Sequence, residues 1–248
     1  MSAQPLKVLT TQAKAKPKSA DIIPGPGFMI RHKVERPSEN LIEGFRGFES
    51  TDVSDMLNRM YTMGGKIRNL VNDVPLVGPA VTVKVYPGDN LMVHKILDIA
   101  QPGDVVVVDC SGSMTAAVLG DLVANKARHR GIAGFIIDGL VRDVPGLKEC
   151  GLPIYALGVT PFGPLHRGPG EINYPVSCGG IVVNPGDIIT ADESGVTVVP
   201  RDSAADTLAR LEDNRERLAE YVASVKLGVF SNAWVDAQLA EAGCVIHD

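Results

Sequence analysis

No two of the four cysteines, at positions 110, 150, 178 and 244, stand close enough to form a CxxC pair. That spacing excludes a zinc ribbon and a vicinal redox dithiol. Long apolar runs are also missing: none reaches the roughly 20 residues that span a bilayer. The first residues lack the apolar stretch of a signal peptide, so a cytoplasmic protein with reduced thiols and no membrane partner is expected. Nor is there an excess of positive charge. With 24 Lys and Arg against 29 Asp and Glu, the net charge is -5, which gives no electrostatic case for a nucleic-acid partner. The basic stretch at residues 7–18 has no aromatic residues among its lysines and reads as a solvated tail.

What is present is enough for a globular enzyme. A chain of 248 residues, 45% hydrophobic, can bury a substantial core. Composition divides it into three parts. Residues 1–27, rich in Ala, Lys, Pro and Gly and ending in Pro24-Gly25-Pro26-Gly27, read as a flexible or partner-wrapping arm. Residues 28–201 read as the core domain. Residues 202–248 read as a helical extension, with Leu208, Leu211, Leu218, Tyr221, Val222 and Val225 at helical spacing. That stripe is expected to pack on the core or on a second subunit.

The centre of the chain carries the chemistry. Asp104-Val105-Val106-Val107-Val108-Asp109 is an apolar run after a Pro-Gly-Asp turn and reads as a buried strand. The segment from about Thr115 to Arg130 has helical composition, interrupted at Gly120, where the regular helix is expected to begin, and stopped at Gly131. Phe135-Ile136-Ile137-Asp138 reads as a second strand, leading into Gly139-Leu140-Val141-Arg142-Asp143. Strand, helix and strand make a βαβ unit, and ligands in such sheets favour the carboxyl ends of the strands. A helix starting near Gly120 turns free N–H groups toward an anion. Taken alone, Arg142-Asp143 is most often a surface ion pair, and Asp121 a residue that favours a helix start.

Gly120-Asp121, a spacer of twenty residues and Arg142-Asp143 together resemble the signature of the class II pyruvate aldolases. These enzymes cleave 4-hydroxy-4-methyl-2-oxoglutarate and 4-carboxy-4-hydroxy-2-oxoadipate, and share a superfamily with the regulator of ribonuclease activity A. The similarity runs from about Ser50 to Pro200. It includes Thr51-Asp52-Val53-Ser54-Asp55, Gly88-Asp89-Asn90, Pro102-Gly103-Asp104-Val105, Ile137-Asp138-Gly139, Pro175-Val176-Ser177-Cys178-Gly179-Gly180 and Gly195-Val196-Thr197-Val198-Val199-Pro200. It implies an α/β fold of the layered β/β/α swivelling type, with a central βαβ unit, antiparallel flanking strands and homotrimers or homohexamers. Three departures stand out: Cys110-Ser111-Gly112 where relatives often carry a Gly-rich loop, an N-terminal segment longer than in the compact members, and a poor match beyond Pro200.

The resemblance also implies roles. Asp143 is the expected ligand of Mg²⁺ or Mn²⁺, ions that take oxygen donors and keep waters. Arg142 binds substrate oxygens and stabilises the enolate. The backbone N–H groups of Gly120, Asp121, Leu122 and Val123 hold the carboxylate of a 2-oxo acid. Asp121 orients or activates the water that takes the C4 hydroxyl proton. Oxaloacetate decarboxylation passes through the same enolate. Substrate selectivity is expected near Leu165-His166-Arg167-Gly168, and Glu216 and Glu220 are candidates for an acid supplied to a neighbouring subunit.

Two other readings compete. A Schiff-base aldolase requires a desolvated lysine, for which Lys84 in Val81-Thr82-Val83-Lys84-Val85 is the best candidate, although exposed lysine is the commoner case. A non-catalytic ribonuclease regulator has no need of Asp121 and Asp143. His129, between Arg128 and Arg130, reads as solvated.

Pro102-Gly103-Asp104-Val105-Val106-Val107-Val108-Asp109 is echoed by Pro185-Gly186-Asp187-Ile188-Ile189-Thr190-Ala191-Asp192. Both read as a turn feeding a strand, the second continuing through a turn into another strand.

Overall fold

The computed structural model describes residues 21–247, so most of the arm read at residues 1–27 lies outside it. Twelve strands are present among the described residues. They are β1 (Phe28–Ile30), β2 (Arg68–Asn69), β3 (Leu76–Val85), β4 (Val105–Asp109), β5 (Ala117–Leu119), β6 (Gly134–Val141), β7 (Ile154–Val159), β8 (Gly170–Ile172), β9 (Val176–Cys178), β10 (Ile181–Val183), β11 (Ile188–Asp192) and β12 (Gly195–Val199). Seven α-helices accompany them: α1 (Glu39–Gly44), α2 (Ser50–Met56), α3 (Leu91–Ile96), α4 (Asp121–His129), α5 (Val144–Cys150), α6 (Ala204–Lys226) and α7 (Ala233–Glu241).

The sheet runs in the order β1-β8-β3-β4-β6-β7-β2, and its centre β3-β4-β6-β7 is parallel. Each parallel step crosses over through a helix: α3, then α4, then α5. Antiparallel strands flank this centre, β8 against the end of β3 and β2 against β7. The ten-residue β3 joins two layers. Its first half pairs antiparallel with β11, which forms a hairpin with β12, and its second half pairs with β4. This is the β/β/α layering expected, and the hairpin is the strand-turn-strand read from the internal echo.

Strand alternation divides the core between the layers. Val106 and Val108 of β4 join the cluster under α3, α4 and α5, with Val123, Ala124, Ala127 and Leu147. Val105 and Val107 face the other way, into a cluster with Ile189, Val196, Val198 and Cys178. A third cluster, with Phe45, Val53, Ile188 and Leu211, lies under α1, α2 and the start of α6.

Two local readings are corrected. Ala117–Leu119, read as helical, is the short strand β5. All three residues are buried, Ala117 and Leu119 pair with the end of β6, and the Ala117 N–H donates to the Phe162 carbonyl at 2.8 Å. Burial against a strand edge overrides helical composition here. The second strand also does not stop at Asp138. It runs to Val141, with a register irregularity between Ile137 and Leu140. The helix does begin at the interruption, with Gly120 as the N-cap residue of α4.

Candidate functional site

Four connections at the carboxyl ends of β3, β5, β6 and β7 converge on a cavity of about 200 Å³. It is lined by Asn90, His94, residues 119–123, Arg142, Asp143, Pro164 and His166. Every expected site residue is therefore brought to one place: Gly120, Asp121, Leu122, Val123, Arg142 and Asp143. The Leu122 side chain is 73% exposed, so this residue offers its backbone to the cavity.

Gly120 permits the arrangement. A Cβ added there would collide with Asp143 Oδ2 and stand 3.2 and 3.3 Å from Cγ and Nε of Arg142. Two more glycines serve the same purpose. A Cβ at Gly146 would lie 2.6 Å from Asp121 Oδ2, and one at Gly163 would lie 2.5 Å from Arg142 Nη1. The Arg142 N–H donates to the Leu119 carbonyl at 3.0 Å, fixing the end of β6 against β5. Asp143 adopts the left-handed conformation, φ 58° and ψ 41°, uncommon outside glycine and found where a site over-determines the backbone.

The charged groups remain available. Arg142 Nε lies 3.3 Å from Asp143 Oδ2, and the two side chains are 41% and 45% exposed. Asp121 Oδ1 accepts from the Leu122 N–H at 2.7 Å, at the start of α4, where the first-turn N–H groups have no intrahelical carbonyl. Among the described residues no group of three or more His, Cys, Asp or Glu is placed to hold a metal ion.

The opposite wall was only half legible. Asn90 appears in the Gly88-Asp89-Asn90 motif without an assigned part, and His94 was not singled out. Buried Asp89 receives the Leu91 N–H at 2.8 Å and the Arg167 N–H at 2.5 Å, pinning the 165–167 loop to the start of α3. Asn90 Nδ2 donates to the Val118 carbonyl at 2.9 Å, and its Oδ1 lies 2.6 Å from His166 Nδ1. His94 meets His166 edge to face, with ring centroids 5.5 Å apart. Burial, then Lys126, then His166 hold the pKa of His94 below its ordinary value. The available signal was the four-residue spacing of Asn90 and His94, which puts both on one helical face.

Other candidates fall away from the cavity. Lys84 is half exposed and pairs with buried Asp109 at 3.7 Å, not the desolvated amine a Schiff base requires. His129 is exposed at the end of α4. Glu216 and Glu220 are exposed on α6. A larger cleft of about 890 Å³ lies between residues 31–36 and residues 184–187. Its Arg36 and Arg201 are already engaged, by Asp104 and Glu35, and Arg31 lies over the Tyr174 ring, whereas the smaller cavity is where the expected residues meet.

Fold and site together define a layered α/β protein with a carboxylate and guanidinium cluster at the carboxyl ends of its parallel strands. The chain belongs to the RraA-like family, described as Aldolase/RraA, whose model matches residues 50–198. A relative from Halalkalibacterium halodurans, provisionally named 4-hydroxy-4-methyl-2-oxoglutarate aldolase, is 41% identical over 171 residues, 69% of this chain and 81% of the relative. An Arabidopsis thaliana protein of the same provisional name is 36% identical over 49% of this chain and 72% of its own length. Among solved structures, Streptomyces coelicolor RraAS2, described as an unusual member of the RNase ES inhibitor RraA protein family, superposes with a TM-score of 0.68. It is 29% identical and covers 75% of this chain and 98% of its own. No helix among the described residues is long and apolar enough to cross a membrane.

Proposed function

We propose that this protein is a divalent-metal-dependent aldolase that cleaves a 4-hydroxy-2-oxo di- or tricarboxylic acid to pyruvate and a second oxo acid. The observation that carries this reading is the meeting of Arg142, Asp143 and Asp121 around the bare backbone of Gly120.

The donor set suits the ion. Asp143 offers one half-exposed carboxylate, and the missing Cβ of Gly120 leaves the space beside its Oδ2 open. A single hard oxygen donor suits Mg²⁺ or Mn²⁺, with waters completing the shell, better than the nitrogen and sulfur sets of zinc. When bound, such an ion supplies Lewis acidity toward the keto oxygen of the substrate.

Arg142 binds the substrate oxygens and stabilises the negative charge that develops on them. The first-turn N–H groups of α4 hold the substrate carboxylate. Asp121 orients the water that accepts the C4 hydroxyl proton. As that proton leaves, the C3–C4 bond breaks. Its electron pair enters the pyruvate enolate, which takes a proton at C3, and C4 departs as a carbonyl. His94 and His166 bring imidazole ring nitrogens to the far wall, where a ring N–H can donate to an anion. That wall suits a second carboxylate on the substrate. Oxaloacetate decarboxylation uses the same enolate and is the expected side activity. The protein acts in the cytoplasm as a homotrimer or homohexamer.

A second reading, a non-catalytic regulator of a ribonuclease, is favoured by the likeness to RraAS2 and to a Thermus thermophilis structure described as the RNA-processing inhibitor RraA. The latter is 32% identical with a TM-score of 0.58, over 62% of this chain and 93% of its own. Pyruvate release from 4-hydroxy-2-oxo acids, measured with and without EDTA, separates the two. Release that EDTA abolishes and Mg²⁺ restores supports the aldolase, and no release from any such acid supports the regulator.

A further inference from the structure

The loop that carries His166 is tied down on both sides of the ring. The Leu165 N–H donates to the Gly88 carbonyl at 2.8 Å, and the Leu165 carbonyl accepts from the Asn90 N–H at 3.0 Å. On the other side, buried Asp89 accepts from the Arg167 N–H at 2.5 Å. His166 lines the cavity together with Asp121, Arg142 and Asp143. Its imidazole is therefore held in place by the residues that start α3, as a group set against a reacting atom must be.

The partner of that ring fixes its tautomer. Asn90 is 3% exposed, and its Nδ2 donates to the Val118 carbonyl at 2.9 Å. A carbonyl only accepts, so the amide cannot turn round without setting two acceptors face to face. Asn90 Oδ1 is therefore the atom 2.6 Å from His166 Nδ1, and Nδ1 carries the hydrogen. Neutral His166 then holds a lone pair on Nε2, which has no partner among the described residues. His94 has no such commitment. Neither of its ring nitrogens is hydrogen-bonded among the described residues, so it is the ring free to present an N–H to an anion. The two rings divide the wall between a donor and an acceptor.

We infer that His166 Nε2 is the proton carrier of the reaction: it takes the C4 hydroxyl proton, passed on by the water that Asp121 orients, and returns it to C3 of the enolate. This step rests on the aldolase reading above. At neutral pH the carboxylates of a 4-hydroxy-2-oxo acid are ionised and accept hydrogen bonds, as its keto oxygen does. The C4 hydroxyl is the single donor such a substrate brings, and a fixed lone pair is what that donor needs. The balance closes on one nitrogen. In cleavage the O–H bond breaks, an N–H bond forms at Nε2, and the C3–C4 electron pair enters the enolate. In the second step that N–H bond breaks, a C–H bond forms at C3, and the ring is neutral again. C3 and C4 are bonded neighbours, so one nitrogen serves both positions. When charge appears on the ring, its Nδ1–H already points at the Asn90 oxygen, and no dipole has to be reoriented.

The test is exchange of the methyl protons of pyruvate for deuterium, followed by proton NMR on the full chain with Mg²⁺, because removal of a C3 proton runs the second step backwards. His166→Gln keeps a donor for Asn90 Oδ1 but has no proton-accepting nitrogen. It is expected to slow exchange by at least about a hundredfold. Oxalate, which resembles the enolate and needs no proton transfer, is expected to bind that variant within a few-fold of the parent. A structural role for His166 would weaken both together. The nitrogen-15 spectrum of the histidine rings, with His166 assigned by its loss in the variant, is expected to show the hydrogen of neutral His166 on Nδ1, a readout that needs no turnover. Three results overturn the inference and leave the aldolase reading standing: exchange by a folded His166→Gln protein within a few-fold of the parent, equal losses of exchange and oxalate affinity, or a neutral His166 with its hydrogen on Nε2. A parent that neither releases pyruvate nor exchanges its methyl protons overturns the aldolase reading itself, and this step falls with it.

Discussion

Two arginine–aspartate pairs flank the same sheet, one just before β4 and one just past β6, and differ in what they leave unspent. Arg36 holds Asp104 with two hydrogen bonds, Nε to Oδ1 at 2.8 Å and Nη2 to Oδ2 at 2.7 Å. Asp104 also receives the Gln101 N–H at 2.7 Å, and its side chain is 1% exposed. That pair is complete and closes a turn. Arg142 touches Asp143 through one contact of 3.3 Å, with both side chains more than two-fifths exposed. Glycines stand where side chains would crowd them, and neighbouring loops end around them. Charge pairing therefore does not by itself distinguish a structural clasp from a reactive site. Incomplete hydrogen bonding inside a shaped cavity does.

The contrast predicts opposite phenotypes. Substitution in the incomplete pair should spare the fold and remove the chemistry. Arg142→Lys is expected to lower pyruvate release by on the order of a hundredfold or more, because a point charge cannot replace a planar fork engaging two oxygens. Turnover within a few-fold of the parent would remove Arg142 from the reaction.

Asp121 sharpens the comparison, since it lines the cavity without joining the ion pair. Cleavage must remove a hydroxyl proton, and oxaloacetate decarboxylation has none to remove. Asp121→Ala should thus slow cleavage by about a hundredfold more than decarboxylation, the low end of the usual general-base contribution. Equal losses, with a stability change of about 0.5–2 kcal/mol, would mark Asp121 as a helix-start residue only.

The complete pair should behave in the reverse way. Arg36→Ala leaves Asp104 buried without its cation. The expected loss is roughly 2–4 kcal/mol, below the figure for a fully buried pair because Arg36 retains some solvent contact. Denaturant melts measure this, and the folded fraction should keep its turnover number. A melt unchanged within error would break the contrast from the structural side.

How much of this contrast was legible depended on the kind of signal. The apolar run of β4 and the twenty-residue spacing from Asp121 to Arg142 are local patterns, and both mark real features of the structure. Ala117–Leu119 was misread because its strand state comes from pairing with β6, a contact that composition does not encode. His166 meets Asn90 and His94 because Asp89 pins the 165–167 loop, an interaction across 78 residues. The parts played by Gly146 and Gly163 are visible only as space, which one chain read linearly cannot show.

The smallest predicted effect belongs to His94. Its pKa in the folded protein lies below the ordinary 6.5, first through burial and then through Lys126 and His166. Between those two values the unfolded chain binds the extra proton, so stability from this group is full above pH 6.5 and lost as pH falls through the folded pKa. Unfolding free energy measured from pH 7.5 to 5 should decline, and His94→Asn should flatten that decline. An unaltered slope would show that burial of His94 has no titration consequence.

The most direct test of the central claim is pyruvate release from a 4-hydroxy-2-oxo dicarboxylic acid by the purified protein and by Asp143→Asn, each with EDTA and then with added Mg²⁺. The account predicts release by the parent that EDTA abolishes and Mg²⁺ restores, and none under any condition from a folded Asp143→Asn protein. Near-normal release from Asp143→Asn, with the same response to the cation, would contradict it.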